Sequence, residues 1–301
     1  MVTLNCLKQL TAFDQPQWHI IIVDDGSTDG SSEAIRKDFP HVTILEGDGN
    51  LFWTGAIELG MRHAIASGAD CCVWINDDMT LKAESINTLV DFSIENNALV
   101  SAQGTIVRED LGIWFFPALI KDSKGLTYQE INPLSKIPYI SDTTRGNLVA
   151  IPKSVIDQVG YPDGKNIPHV GGDSDYGLRV TAAQLRCYTL PAITFMEDEN
   201  IRDDNRSWLL GTRPVRKIIK ASLGKRGNLY PRMVLTYNIR HWGIIRGGAN
   251  AIRSFASLFV SCSLRCLLPR FLLVKLFANH SHAYKAYASH DALLELDSST
   301  K

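Results

Sequence analysis

Three pairs of carboxylates stand out in the 301-residue chain: Asp24 with Asp25, Asp77 with Asp78, and Asp173 with Asp175. The second pair follows Asn76 at the end of an apolar run, Cys71-Cys72-Val73-Trp74-Ile75. Adjacent carboxylates are hard oxygen ligands that can hold a divalent metal against a phosphate. A carboxylate can also take the proton of a hydroxyl as it attacks. Each pair has a plainer reading. Acids at strand ends are common turn residues. Acids in a helix's first turn favour its dipole, which alone accounts for Asp173 and Asp175. Taken together in an α/β chain, the three describe one group for a nucleoside, one for a metal–diphosphate and one base.

Strands and helices must carry these groups to one place. Residues 18–23 and 70–75 are apolar runs bounded by polar residues and read as buried strands. Each ends in an acidic pair, and ligands gather at the carboxyl ends of strands in an open α/β sheet. Helical spacing covers residues 2–13, with Leu4, Leu7 and Leu10 on one face, and residues 53–67, with Ile57, Met61 and Ile65 on one face. Ser31 or Ser32 caps a helix that Pro40 stops. Further strands are expected at 42–45 and 98–107, and a further helix at 83–97. This alternation predicts parallel βα units. The rhythm breaks over 111–140, which reads as hairpins or loops. It resumes with a strand at 146–151, helices at 153–159 and 173–184, and a strand at 187–195.

Composition is that of a globular protein, 45% apolar and 21% charged, with a formal charge of −1. Six cysteines show no C-x-x-C pair and no zinc-like spacing, so all are expected to be reduced, in a cytoplasmic compartment. No uninterrupted apolar run is long enough for a spanning helix. Charge is unevenly spread. Residues 211–290 carry 14 Lys or Arg and no Asp or Glu, which leaves 17 basic and 32 acidic groups, or −15, elsewhere. That split predicts two parts with different partners, residues 1–205 and a basic, mainly helical region 206–301. An apolar face with basic flanks fits a helix at an anionic membrane surface. It also fits a helix packed on the first part or in a homodimer. No nucleic-acid motif accompanies the charge, so no nucleic-acid partner is expected.

Five stretches in order resemble the family 2 glycosyltransferases, over roughly residues 1–200. They are Ile20-Ile21-Ile22-Val23-Asp24-Asp25-Gly26-Ser27-Thr28-Asp29, Gly49-Asn50-Leu51-Phe52-Trp53-Thr54-Gly55-Ala56, Asn76-Asp77-Asp78, Gly146-Asn147-Leu148-Val149-Ala150-Ile151-Pro152 and Pro168-His169-Val170-Gly171-Gly172-Asp173-Ser174-Asp175-Tyr176-Gly177-Leu178-Arg179. The second and fifth look most like the bacterial rhamnosyltransferase-type branch. The resemblance implies the GT-A fold, a Rossmann-like, mostly parallel sheet flanked by helices. It implies a nucleotide-diphosphate sugar donor, with UDP or dTDP, and a glycan or lipid-linked glycan acceptor in bacterial surface polysaccharide synthesis, at the inner face of the cytoplasmic membrane. By position, Asp24 and Asp25 contact the nucleobase, and Trp53 and Gly55 lie in the donor loop. Asn76 and Asp77 belong to the donor site, and Asp78 is the direct ligand of Mn²⁺ or Mg²⁺. Asp173 matches the catalytic base of an inverting displacement. His169, Gly172 and Trp114 are candidates for the acceptor site, while Asp175 and Arg179 brace the helix.

Two departures from that family are visible. The family's sheet has a central strand ahead of the first helix; here the helix is expected almost directly at Met1, so either the start is truncated or another segment is expected to substitute for that strand. Where some relatives place a metal-binding His, this chain reads Met196-Glu197-Asp198-Glu199-Asn200. The competing readings are a degenerate, non-catalytic subunit and a nucleotidyltransferase. The latter would carry a Gly-rich basic phosphate loop near its start, and none is present.

Overall fold

The computed structural model describes residues 2–108, 112–115, 118–129, 137–196, 209 and 214–277. The chain opens with α1 (Val2–Ala12), β1 (Ile21–Asp24), α2 (Ser31–Asp38), β2 (Thr43–Glu46), α3 (Phe52–Ala66) and β3 (Cys71–Ile75). It continues with β4 (Met79–Thr80), α4 (Ala83–Asn96), β5 (Ala98–Arg108), β6 (Gly112–Phe115), β7 (Ala118–Asp122), β8 (Gly125–Gln129) and β9 (Tyr139–Ser141). Then come β10 (Leu148–Pro152), α5 (Lys153–Val159), α6 (Gly172–Ala182), β11 (Arg186–Met196), α7 (Val215–Leu223), α8 (Pro231–Leu267) and α9 (Arg270–Phe277).

The central sheet runs β3-β10-β5-β11-β4, with β6 added to β5 and β9 to β11. Strands β3, β5 and β11 point the same way. Strand β11 is parallel to β5, and β10 is antiparallel to both β3 and β5. These three codirectional strands are the parallel framework that the βα rhythm predicts. Strand β10 lies between two of them in the opposite sense, so its start, Leu148, pairs with the end of β3, Ile75. That reversal brings the residues before β10 beside those after β3.

Helices cover both faces, which explains the nearly continuous apolar runs of the strands. Alternate residues serve opposite cores. Leu148 and Ala150 of β10 pack with Leu89 of α4 and Val100 of β5. Val149 and Ile151 pack on the other face with Met61, Trp74, Leu99, Tyr176 and Val180. Helix α1 joins two cores: Cys6 and Leu10 enter the α4 side, while Leu7 packs with Ile35, Phe39 and Val42.

Among the described residues, strands β1 and β2 form a parallel pair of their own, not joined to the central sheet. The strand expected over 18–23 is confined to Ile21–Asp24, which pair residue by residue with Thr43–Glu46 of β2; Ile20 adds one hydrogen bond from Thr43 N–H, and Trp18 closes a turn onto Gln15 O. The expected hairpins are β5–β6 and β7–β8. Helix α6 stops earlier than its spacing suggests, with Gln184 in a left-handed conformation at φ 63°.

The described part of the basic region, residues 214–277, is mainly helical, and much of it is docked on the rest. Ile167 shares a core with Ile218 of α7 and with Leu229, Met233, Val234, Ala251 and Leu258. Helix α8 is broken at Gly243, whose φ of 74° no other residue type adopts readily. It ends ahead of Pro269, as expected. No helix among the described residues is long and apolar enough to cross a membrane.

Candidate active site

The site forms where the end of β3 meets the start of β10. Asn76 is pinned there three ways. Its N–H donates to Asn147 O at 3.0 Å, its Nδ2 to Asn147 Oδ1 at 2.8 Å, and its Oδ1 accepts Trp53 Nε1–H at 3.0 Å. The next two residues, Asp77 and Asp78, are exposed. Asp77 accepts the Thr3 hydroxyl from α1. Cys6, also on α1, has its thiol pushed up to about 11 by burial and then by Asp77 and Asp78, so it stays a thiol beside them. Among the described residues, no three His, Cys, Asp or Glu side chains group closely enough to hold a metal alone. Two adjacent exposed carboxylates fit a different arrangement, in which a hard cation takes one or two carboxylates and completes its shell with water and phosphate.

Asp173 enters from the first turn of α6. Its Oδ2 accepts Gly146 N–H at 2.8 Å, and its Oδ1 accepts Ser174 N–H at 2.7 Å. Burial raises its pKa above the ordinary 3.8, outweighing the opposing pull of those N–H groups and of Arg145. Two glycines allow this placement. A Cβ on Gly172 would lie 2.0 Å from Thr54 Oγ1. A Cβ on Gly146 would lie 2.5 Å from the Trp53 ring and 3.0 Å from Asp173 Cβ. Asp173 is thereby tied through Gly146 and Asn147 to Asn76, and so to Asp77 and Asp78.

Asp24 and Asp25 hold backbone. Asp24 Oδ1 accepts Ser27 N–H at 2.8 Å, and its Oδ2 accepts the Ser32 hydroxyl, which holds its pKa below 3.8. Asp25 accepts N–H from Gly49 at 2.8 Å, Leu51 at 3.1 Å and Phe52 at 2.8 Å. It therefore shapes the whole loop that starts α3. In that loop Gly55 is buried against Leu51. Trp53 packs edge-on against Trp74, with centroids 5.7 Å apart, and covers Gly146. The aromatic ring beside His169 is Phe52, with centroids 6.4 Å apart.

His169 Nδ1 is buried with no hydrogen-bond partner among the described residues. Burial lowers its pKa, Arg226 lowers it further, and Asp173 opposes them. A neutral imidazole with an unmet nitrogen is a ready contact for a polar ligand group. Gly172 is packed under Thr54 rather than open to solvent. Strand β6 carries Trp114 opposite Ile106, and its side chain lies outside the described residues. So do Glu197 to Asn200 of the expected acidic loop.

Sequence reasoning overlooked several residues that build this site. Phe52 and Asn147 lie inside the quoted stretches, but spacing alone does not show what they touch. Arg240 and His241 carry no local signal at all. Arg240 Nη1 reaches both Asp175 oxygens, at 2.7 and 2.8 Å, and its Nη2 reaches Asp163 at 2.6 Å. His241 Nε2 lies 2.8 Å from Asp175 Oδ1. The expected bracing role of Asp175 thus extends to a helix 65 residues away in sequence.

Residues 2–152 match the sequence family described as Glycosyl transferase family 2. No curated protein matches significantly. Among similar solved structures is GalNAc-T7 with UDP, GalNAc and Mn²⁺, at a TM-score of 0.50 and 11% identity over 79% of this chain and 47% of that one. Another is the mannosyltransferase PcManGT from Pyrobaculum calidifontis in complex with GDP-Man and Mn²⁺, at a TM-score of 0.50 and 14% identity over 97% of this chain and 80% of that one. At such identities the likeness is one of fold. The chain spans about half the length of GalNAc-T7.

Proposed function

The chain belongs to glycosyl transferase family 2 and has a GT-A fold, and on that premise we propose that it moves a sugar from a nucleotide-diphosphate donor to a glycan or lipid-linked glycan acceptor, with inversion. The observation that carries this reading is the single path joining Asp173 to Asp77 and Asp78 through Gly146, Asn147 and Asn76. Base and leaving-group site are then held by one piece of backbone.

In the proposed step, the acceptor oxygen bonds to the anomeric carbon as the bond from that carbon to the diphosphate oxygen breaks. Asp173 takes the hydroxyl proton. Asn76 and Asn147 fix the approach of the Asp77-Asp78 turn. Asp77 and Asp78 are the residues that would hold Mn²⁺ or Mg²⁺, which when bound neutralises charge on the departing diphosphate. Hexosyl or deoxyhexosyl donors carried by UDP or dTDP, and a role in bacterial polysaccharide synthesis, belong to the same proposal. Asp173→Asn should lower transfer roughly 10²–10⁴-fold while calorimetry shows unchanged UDP binding with Mn²⁺. Asp78→Ala should remove the Mn²⁺ dependence of that binding. Turnover by Asp173→Asn near the wild-type rate would refute the assignment of the base.

An anionic membrane surface is the proposed setting. What supports it is the outer side of α8 and α9, where Ile244, Ile245, Ile252, Phe259, Leu267 and Phe271 are exposed on a segment without acidic residues. Flotation with anionic vesicles tests this: the chain should rise with them and should stay behind with neutral ones.

A further inference from the structure

Beside the loop that starts α3 lies a shallow, widely open cavity of about 420 Å³ lined by Phe52, Lys217, Lys220, Gly224, Lys225 and Arg226. Two of the cations sit over the Phe52 ring, Lys225 Nζ 5.6 Å and Arg226 5.4 Å from its centroid. Among the described residues, none of the four cations has a carboxylate within ion-pair distance. Crowding four like charges around one opening is unfavourable, and the ring face offsets only part of that cost. A multiply charged anion would offset more.

Its position identifies the ligand further. Phe52 touches His169, and the electrostatic fields of Arg226 and Asp173 both reach the His169 ring. The cavity is thus separated from His169 by the Phe52 ring. In a displacement with inversion, the acceptor occupies the base's side and the donor diphosphate the other.

We propose that this cavity binds the phosphate or diphosphate of a phosphate-bearing acceptor, so that His169 and Asp173 meet its hydroxyl. The proposal rests on the glycosyl-transfer reading for the word acceptor, but not for the anion site itself. The apolar groove formed by Val215, Ile219, Leu223, Phe255 and Phe259 lies on the opposite face of α7 and does not continue the cavity.

The first measurement needs no turnover. Inorganic pyrophosphate is titrated calorimetrically, with chelator and no metal, into the full chain and into a Lys220→Gln/Arg226→Gln double variant. Affinity should fall at least tenfold in the variant and be unchanged in Lys153→Gln, a surface control on α5. Equal binding by all three, or none by the wild type, overturns the site. Lys217→Gln alone should weaken binding in the same direction, and it covers the case in which the double variant fails to melt like the wild type. UDP binding with Mn²⁺ should stay within twofold in the same variants. A parallel tenfold loss there would assign the cavity to the donor and overturn the acceptor proposal. Finally, KM is compared for one sugar acceptor offered as a prenyl diphosphate, as a 1-phosphate and free of phosphate. The variants should raise KM at least tenfold for one or both phosphate forms only. The form affected distinguishes a lipid-borne from a soluble source, while an equal rise for all three counts against the proposal.

Discussion

At the scale of single residues, the carboxylates divide by what surrounds them. Asp24 accepts two hydrogen bonds and Asp25 three from the loops beside them, and both help to hold those loops. Asp77 and Asp78 stand exposed at a strand end. Asp173 accepts two N–H groups, yet its pKa is still raised because burial outweighs them. The sign has a consequence for the proposed base. Transfer needs Asp173 ionised, so the rate should climb with pH through its raised value. The acid limb of kcat/KM should therefore have its midpoint above the ordinary 3.8. A limb at or below that value would show that Asp173 is not the titrating base. The sequence displayed all of these acids, but not this division. Neighbouring letters do not say that the loop amides of Gly49, Leu51 and Phe52 turn back onto Asp25, or that α6 buries Asp173 against Gly146.

At the scale of elements, the alternation of apolar runs and helical faces correctly announced β3, α4, β5, α5 and the bulk of α6. Periodicity reports which face of an element is buried, but not which way a strand runs. Strand β10 reads as one more apolar strand, yet its reversal is what sets Gly146 and Asn147 next to Asn76. The close approach of α6 to α3 was equally hidden. It depends on Gly172 lying where a Cβ would fall 2.0 Å from Thr54 Oγ1, a contact between residues far apart in sequence. Overpacking of this kind typically costs about 1–3 kcal/mol. Gly172→Ala should lower stability by about that much in urea denaturation and should reduce transfer, because α6 must shift and carries Asp173 with it. Adding Thr54→Ala removes two of the three clashing atoms and should recover part of both losses. Full activity in the single variant would show that the helix has slack that the packing does not suggest.

At the scale of the whole molecule, the charge asymmetry set residues 206–301 apart in composition, and helical spacing pointed to helices of the kind seen within residues 215–277. It could not show how much of that region would be docked on the first part. The contacts are long-range and use residues with no local pattern: Tyr237 on Ser174 at 3.2 Å, Arg232 on Asn166 at 2.8 Å, and Arg240 with His241 on Asp175. Asp175 is fully buried, one position beyond Ser174 and two beyond Asp173. Arg240 meets it with two hydrogen bonds, while Arg179 stays at 3.7 Å. A buried charge stripped of its partner typically costs about 3–5 kcal/mol, far more than the intact pair contributes. Arg240→Met keeps much of the side-chain length but leaves Asp175 short of its main partner. The variant should lose stability on that order in urea denaturation, and transfer should fall as α6 loses its support. Asp175→Asn in the Arg240→Met background removes the stranded charge and should return part of the stability. Recovery in that double variant would separate the cost of an unpaired carboxylate from the cost of undocking α8, since only the former is relieved by removing the charge.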